Sequence, residues 1–409
     1  MPEAATTQRS RGMHDLTPDE MDRVRAAEAA FAQTCRLWGY REIRTPVIEP
    51  LHLFTAAGTL SPHTLDGVYS FLDWDGWSGE RVVLRPDSTI PAARLYAERL
   101  GAENPARLFY RQNVFRFADD GSSREEWQCG VELIGDTGTA GDAELVLLAL
   151  DVLRSAGVEA PVVRLSHAGI VRAVLAAAGL TAGEQSQAYD RLLDGDLAVV
   201  GEVEARMPQL NAPLRLLFEV EGAGSGYLAN LRGSLVAAIP SLAGALDELA
   251  FVVAALEASG VSPIIQAVLA RSFEYYSGMV MKIDAAGERV CTGGRYDELI
   301  GLISGRSVPA SGFGIYLTPL LDATASAIAD PQPPAVLVRP ASAAADDFAR
   351  AAAAAAGLRE AGIRAELTTS ATTAGVVTAS ADGLVLERDG GKARFADVRD
   401  LVRVLENAR

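Results

Sequence analysis

Hydrophobic and polar positions along this 409-residue chain alternate in some stretches and recur every three or four residues in others, and the switches mark its elements. Thr17 and Glu20 make a capping-box pattern with Pro18 at the first helical position, predicting a helix to about Trp38, where Gly39 stops it. "YREIRTPVIEP" reads as a strand interrupted by Pro46, which marks an edge or a bulge. "RVVLRPDSTIPAARLYAERL" reads as strand, turn and helix. "RLFYRQNVFRF" and "WQCGVELIGD", joined by the acidic loop "ADDGSSREE", read as a long antiparallel hairpin. "GDAELVLLALDVLRSAGV" is an amphipathic helix, and residues from about 168 to 262 carry alanine- and leucine-rich helical patterns, a helical insert.

Strand patterns return in "RSFEYYSGMVMKIDAAG", "RVCTGGRYDELI" and "SGFGIYLTPLLDA". In the last, Ser311, Gly312 and Gly314 alternate with Phe313 and Ile315, and leucines then take over at helical spacing. Glycines in a strand mark close approach by a ligand or another backbone. A phosphate at such a strand-to-helix turn needs a cation or free helix N–H groups, yet this turn carries Thr318 and Pro319. The proline-rich joint "DPQPPAV" sets a boundary near residue 332. Beyond it, residues 335–409 read β-α-β, then a hairpin through Gly390–Gly391 and a closing helix, a small α/β domain.

Composition narrows the picture. The chain is 49% hydrophobic, enough to bury a large core, but no apolar run reaches the roughly 18–20 residues of a membrane span. The opening "MPEAATTQRSRG" lacks the apolar stretch of a secretory signal. Three widely spaced cysteines, Cys35, Cys129 and Cys291, show no metal or redox spacing and predict a cytoplasmic protein. A net charge of −16 argues against a nucleic-acid binder. The four histidines lack metal spacing, and no P-loop or nucleophile elbow appears, so no metal or cofactor is expected.

Candidate chemistry clusters in the strands. Gln128, Gly130 and Glu132 share one strand face by period two and can present an amide and a carboxylate to a small polar ligand. Asp87 and Thr89 lie in "RPDST"; Arg116 and Arg124 flank the acidic loop; Arg271, Tyr275 and Tyr276 lie in "ARSFEYYSG"; Arg295 and Tyr296 lie in "GGRYDEL". Arg271 or a ligand ammonium can partner a buried Glu132. The same residue types also fit a structural network of buried Arg–Glu pairs. Gly293 and Gly294 can cradle a phosphate or simply form a turn.

In order, these stretches resemble the histidyl-tRNA synthetase family of class II aminoacyl-tRNA synthetases over roughly residues 8–328. "RPDST" is similar to its R-P-E-G-T, "RLFYRQNVFR…REEWQCGVELIG" to its second class motif, and "ARSFEYYSG" and "GGRYDELI" to its two histidine-specific motifs. The resemblance implies an α+β fold: a six-stranded antiparallel sheet flanked by helices, with the helical insert and a shortened anticodon-binding domain after it. It implies a homodimer through the first helix and the Pro46 strand. It also implies a histidine pocket of Asp87, Thr89, Arg116, Gln128, Glu132, Arg271, Tyr275, Tyr276 and Tyr296, where Asp87 stands in place of the family's Glu.

The nucleotide half departs from the family pattern. Phe117 and Ala118 replace the adenine-reading x-Glu, the loop that should be basic is "ADDGSSREE", and the third motif's G-L-E-R reads Tyr316, Leu317, Thr318, Pro319. Activation depends on electrostatic clamping, and one lost donor of that kind costs about 2.7–4 kcal/mol. The chain thus resembles the family's non-activating paralogues, the regulatory subunits of ATP phosphoribosyltransferase. That resemblance implies no catalysis of its own, the short-form ATP phosphoribosyltransferase catalytic subunit as partner, histidine as effector, a hetero-oligomer containing the homodimer, and no tRNA. The alternatives are a divergent, still active histidyl-tRNA synthetase and another synthetase-like histidine-binding protein.

Overall fold

The structure is a computed structural model that describes residues 9–56, 67–74, 79–117, 123–135, 138–269, 276–324, 336–368, 376–388 and 391–406. The chain divides into two compact units, Met1–Ala329 and Asp330–Arg409.

The first helix, Pro18–Leu37, starts where the capping box predicts: the Thr17 hydroxyl accepts from the Glu20 N–H while the Glu20 carboxylate reaches back. Twelve strands follow among the described residues of the first unit: β1 (Arg41–Glu42), β2 (Ile48–Pro50), β3 (Ser70–Trp74), β4 (Gly79–Leu84), β5 (Ala106–Phe115), β6 (Glu125–Ile134), β7 (Val162–His167), β8 (Gly222–Ala223), β9 (Ile264–Ile265), β10 (Met279–Ala285), β11 (Glu288–Arg295) and β12 (Ala310–Tyr316). Nine of them form one sheet in the order β1-β5-β6-β12-β11-β10-β7-β9-β8. The middle six, from β5 to β7, pair antiparallel throughout, as the family resemblance implies. The whole sheet is mixed rather than antiparallel, because β1 joins β5 and β9 joins β7 in parallel.

Pro46 does not sit inside one strand. The stretch expected as an interrupted strand splits instead into β1, on the edge of the large sheet, and β2, in a separate sheet of order β2-β4-β3. Proline has no N–H for a ladder, and the Thr45 and Pro46 carbonyls are taken by Arg85 Nη1 at 2.9 and 3.0 Å. The chain therefore leaves one sheet and enters another at this point.

Alternation sorts the large sheet's side chains. Cys129, Val131, Leu133 and Phe109 are buried with Phe31 and Cys35 of the first helix and with the helix Gly138–Ser155. Phe31 meets Phe109 edge-on, ring centroids 5.7 Å apart. Burying such a side chain contributes about 1.5–3 kcal/mol, which fixes that face and leaves the even-numbered residues of β6 and β12 on the other. The insert is helical, as its pattern predicts: Ala168–Ala177, Ala182–Leu193, Ala198–Arg206, Asn211–Glu219, Gly224–Leu235 and Leu242–Ala258. Leu214, Leu231, Leu249 and Leu256 are fully buried there. Only the two-residue β8 interrupts it with a strand, docking the insert onto β9.

The second unit holds β13 (Val336–Pro340), β14 (Ala365–Leu367), β15 (Val376–Ser380), β16 (Gly383–Arg388) and β17 (Gly391–Phe395) in the order β14-β13-β15-β16-β17. The alanine run forms the helix Ala345–Glu360 and buries Ala351, Ala354, Ala355 and Leu358 on one side. The closing helix is Val398–Glu406. In the expected hairpin turn, Gly390 lies outside the described residues.

Candidate functional site

Glycines make the floor of the site. Across β6, β12 and β11 the pairs run Gln128–Tyr316, Gly130–Gly314–Thr292 and Glu132–Gly312–Gly294, all on the face away from the first helix. A Cβ at Gly312 would lie 2.0 Å from Glu132 Oε2, one at Gly314 2.3 Å from Gln128 Nε2, and one at Gly130 2.2 Å from Tyr110 Cζ. Missing side chains on one strand thus let the polar side chains of the next lie flat across it. The floor serves Glu132, Gln128 and Tyr110, which is a different use from the phosphate cradle considered for such glycines. Gly293 and Gly294 are neither cradle nor turn. They sit within β11, where a Cβ would meet Gly312 O at 2.4 Å and Met279 O at 2.6 Å respectively.

Glu132 is the chemical centre. It is 1% exposed; the Tyr110 hydroxyl donates to its Oε1 at 2.9 Å and the Tyr296 hydroxyl donates to its Oε2. Burial pushes its carboxyl up to about 8, Asp87 adds to the rise, and the Tyr296, Thr89 and Tyr110 hydroxyls oppose it. Burial likewise raises the hydroxyls of Tyr110, Tyr276 and Tyr296, so they remain neutral donors. A carboxyl raised in this way carries a proton at neutral pH.

Asp87 is also buried, and its Oδ1 accepts from the Ile90 N–H at 2.8 Å, fixing the start of the helix Thr89–Leu95. Asp87, Thr89, Gln128, Tyr276, Tyr296 and Tyr316 line a narrow, partly open cleft of about 10 Å³ over the glycine floor. That is close to the room for a single water, so a small polar ligand enters only as the lining side chains shift. Gln128 is 5% exposed, and its Oε1 has no hydrogen-bond partner among the described residues. A buried acceptor left unpaired costs about 1–3 kcal/mol, so a ligand N–H placed there relieves a real penalty.

The outer end differs. Arg116 Nε donates to Pro86 O at 2.9 Å, and its Nη1 lies 3.7 Å from Glu126 Oε2. Its guanidinium is raised despite burial by Tyr316, Glu126 and Asp87. The Tyr316 hydroxyl also lies 3.3 Å from Thr292 Oγ1, so the ring spans the floor. Phe117 stacks beside them, with Arg124 4.0 Å above its ring and Tyr69 edge-on at 5.8 Å. Thr318 is exposed at the start of the seven-residue helix Leu317–Ala323.

Of the nine expected pocket residues, Asp87, Thr89, Gln128, Glu132, Tyr276 and Tyr296 come together, with Arg116 at the mouth. Arg271 and Tyr275 lie outside the described residues. Arg295 points to the far face, bidentate to Asp142 at 2.9 and 3.0 Å, and Arg85 is bound to the carbonyls of Thr45, Pro46 and Asn113; both are structural. His167 caps the helix Ala168–Ala177 by accepting from the Gly169 N–H. Sequence reading missed Tyr110, Thr292 and Glu126. Tyr110 was visible as the residue opposite Gly130 in the hairpin, and Glu126 as one step further along the face of Gln128 and Glu132. Among the described residues no cluster of His, Cys, Asp and Glu could hold a metal ion.

Six antiparallel strands carrying a polar cleft on one face, with helices behind, define the catalytic-domain fold of class II aminoacyl-tRNA synthetases. The family pattern described as histidyl-tRNA synthetase matches residues 12–320, and the chain belongs to this family. A curated relative from Dehalococcoides mccartyi strain 195, an ATP phosphoribosyltransferase regulatory subunit, is 47% identical over 319 residues, 77% of each chain. A histidine–tRNA ligase from Methanosarcina acetivorans is 35% identical over 322 residues, 76% of this chain and 74% of its own. The crystal structure of an ATP phosphoribosyltransferase regulatory subunit/histidyl-tRNA synthetase from Bacillus halodurans matches with a TM-score of 0.75 at 26% identity. It covers 90% of this chain and 93% of that one.

Proposed function

We propose that this chain is the non-catalytic regulatory subunit of an ATP phosphoribosyltransferase in histidine biosynthesis and that its pocket binds histidine as effector. Its partner is the short-form catalytic subunit, which it activates and places under feedback. It acts as a homodimer within a larger hetero-oligomer, in the cytoplasm and without tRNA; no described helix is long and apolar enough to cross a membrane. The 47% identical relative carrying that name supports the reading. The observation that carries it is the contrast between the two ends of one sheet face. Glu132 and the Gln128 carbonyl, unpaired among the described residues, suit a ligand with N–H donors, whereas the turn that should clamp phosphate carries Thr318 and Pro319. Arg116, Arg271 and Tyr275 complete the proposed histidine set.

The test has two arms. Calorimetry on the pure chain, alone and with the catalytic subunit, is expected to show histidine binding and activation of the partner. Histidine-dependent ATP–pyrophosphate exchange by the chain alone is expected to be absent. The 35% identical histidine–tRNA ligase favours the second reading, an active synthetase, and a clear exchange signal would establish it in place of ours.

A further inference from the structure

A side-chain hydrogen bond joins the helical insert to a pocket tyrosine. Arg172, on the helix Ala168–Ala177, donates from Nη2 to the main-chain carbonyl of Tyr276 at 3.2 Å, across 104 residues of sequence. The same guanidinium lies 5.6 Å from the centroid of the Tyr189 ring, on the next helix, Ala182–Leu193. The segment that carries Tyr276 is thereby held from two sides. On the sheet side, the Ser277 N–H donates to Arg295 O at 2.8 Å and the Asp297 N–H donates to Ser277 Oγ at 2.9 Å. On the insert side, the Ala168 N–H donates to Gly278 O at 2.9 Å, and Arg172 adds its bond one turn further along the same helix.

The ring of Tyr276 lies against the floor, since a Cβ on Gly294 would come within 2.8 Å of its Cδ1. Where that backbone carbonyl is held therefore sets where the ring lies. Tyr189 and Leu193 on one side and Tyr276, Val280 and Thr292 on the other border a small cavity of about 30 Å³ where insert and sheet meet.

We propose that Arg172 is a positioning residue. It fixes Tyr276 on the floor and passes pocket occupancy to the helix Ala182–Leu193 through its contact with Tyr189. The coupling half rests on the histidine reading above; the positioning half does not. Arg172 is exposed, so Arg172→Ala keeps the fold. Hydrogen exchange on the ligand-free chain is expected to show faster exchange at residues 276–279 in Arg172→Ala, with Arg172→Lys intermediate. Unchanged exchange there overturns the positioning role, whether or not histidine binds. Titration with histidine is expected to show about three- to tenfold weaker binding in Arg172→Ala, the loss of one hydrogen bond. Protection gained by residues 182–193 on adding histidine is expected in the native chain and absent in both Arg172→Ala and Tyr189→Leu. Native-like histidine affinity in Arg172→Ala, or no histidine response in residues 182–193 of a chain that binds it, overturns the coupling. A native chain that ignores histidine sinks the pocket reading instead, and exchange at residues 276–279 still decides the positioning role.

Discussion

The inner and outer ends of β6 share one face, one glycine floor and one strand, yet they are built for opposite ends. At the inner end Glu132 is buried and Gln128 keeps an unpaired acceptor. Nothing in the described chain satisfies that acceptor, so the site waits for a donor. At the outer end Arg116 is engaged by Pro86 O, faces Glu126 and lies beside the Tyr316 ring. The chain there supplies its own anion and its own ring. The contrast is one of charge: a buried carboxyl stands at one end, and a cation already facing a carboxylate stands at the other.

The sharpest way to break the contrast is Glu132→Ala. Removing a buried charged acceptor is expected to weaken histidine binding roughly 10- to 150-fold, read by calorimetry. Unaltered affinity would place the ligand elsewhere. Gly314→Ala is a milder probe: its Cβ collides with the movable end of Gln128 and leaves the rest of the floor intact. About fivefold weaker binding is expected, the worth of one neutral hydrogen bond.

Protonation sharpens the same contrast. Glu132 is pushed up to about 8 in the fold, against about 4.3 unfolded. A raised carboxyl contributes stability that is complete below about pH 4.3 and is lost as pH rises through about 8. Denaturation of the ligand-free chain across that window should show this loss, and Glu132→Gln should flatten it. At pH 7, histidine binding should release protons, visible as a dependence of the calorimetric heat on buffer ionisation enthalpy. The smallest effects belong to the outer end. Glu126→Gln breaks a long pair whose members are 41% and 33% exposed; such pairs contribute about 0–1 kcal/mol, so histidine affinity is expected to change little. Thr318→Ala, at an exposed position, is expected to stay within about 0.5 kcal/mol in denaturant unfolding.

Much of the fold was legible because local rules and tertiary packing agree. The capping box at Thr17 starts its helix, and alternation in the β5–β6 hairpin separates Val131 and Leu133 from Gln128 and Glu132. Legibility failed where a long-range partner decides. Pro46 looked like an interruption in one strand, but Arg85, about forty residues away, takes its carbonyl and sends the chain into a second sheet. Arg295 sits in a motif with pocket residues, yet Asp142, 153 residues earlier, draws it to the other face.

By itself the sequence determined the order of elements, the face on which Gln128 and Glu132 lie, and the missing cation at the Thr318–Pro319 turn, because period, caps and residue type are local properties. Tertiary structure alone decided that Tyr110 and Tyr296, not an arginine among the described residues, hold Glu132. It also decided that Gln128 Oε1 has no hydrogen-bond partner among the described residues and that Arg116 is turned toward Glu126. Those outcomes depend on which strands become neighbours and how closely glycine lets them approach, distances that no spacing along the chain encodes.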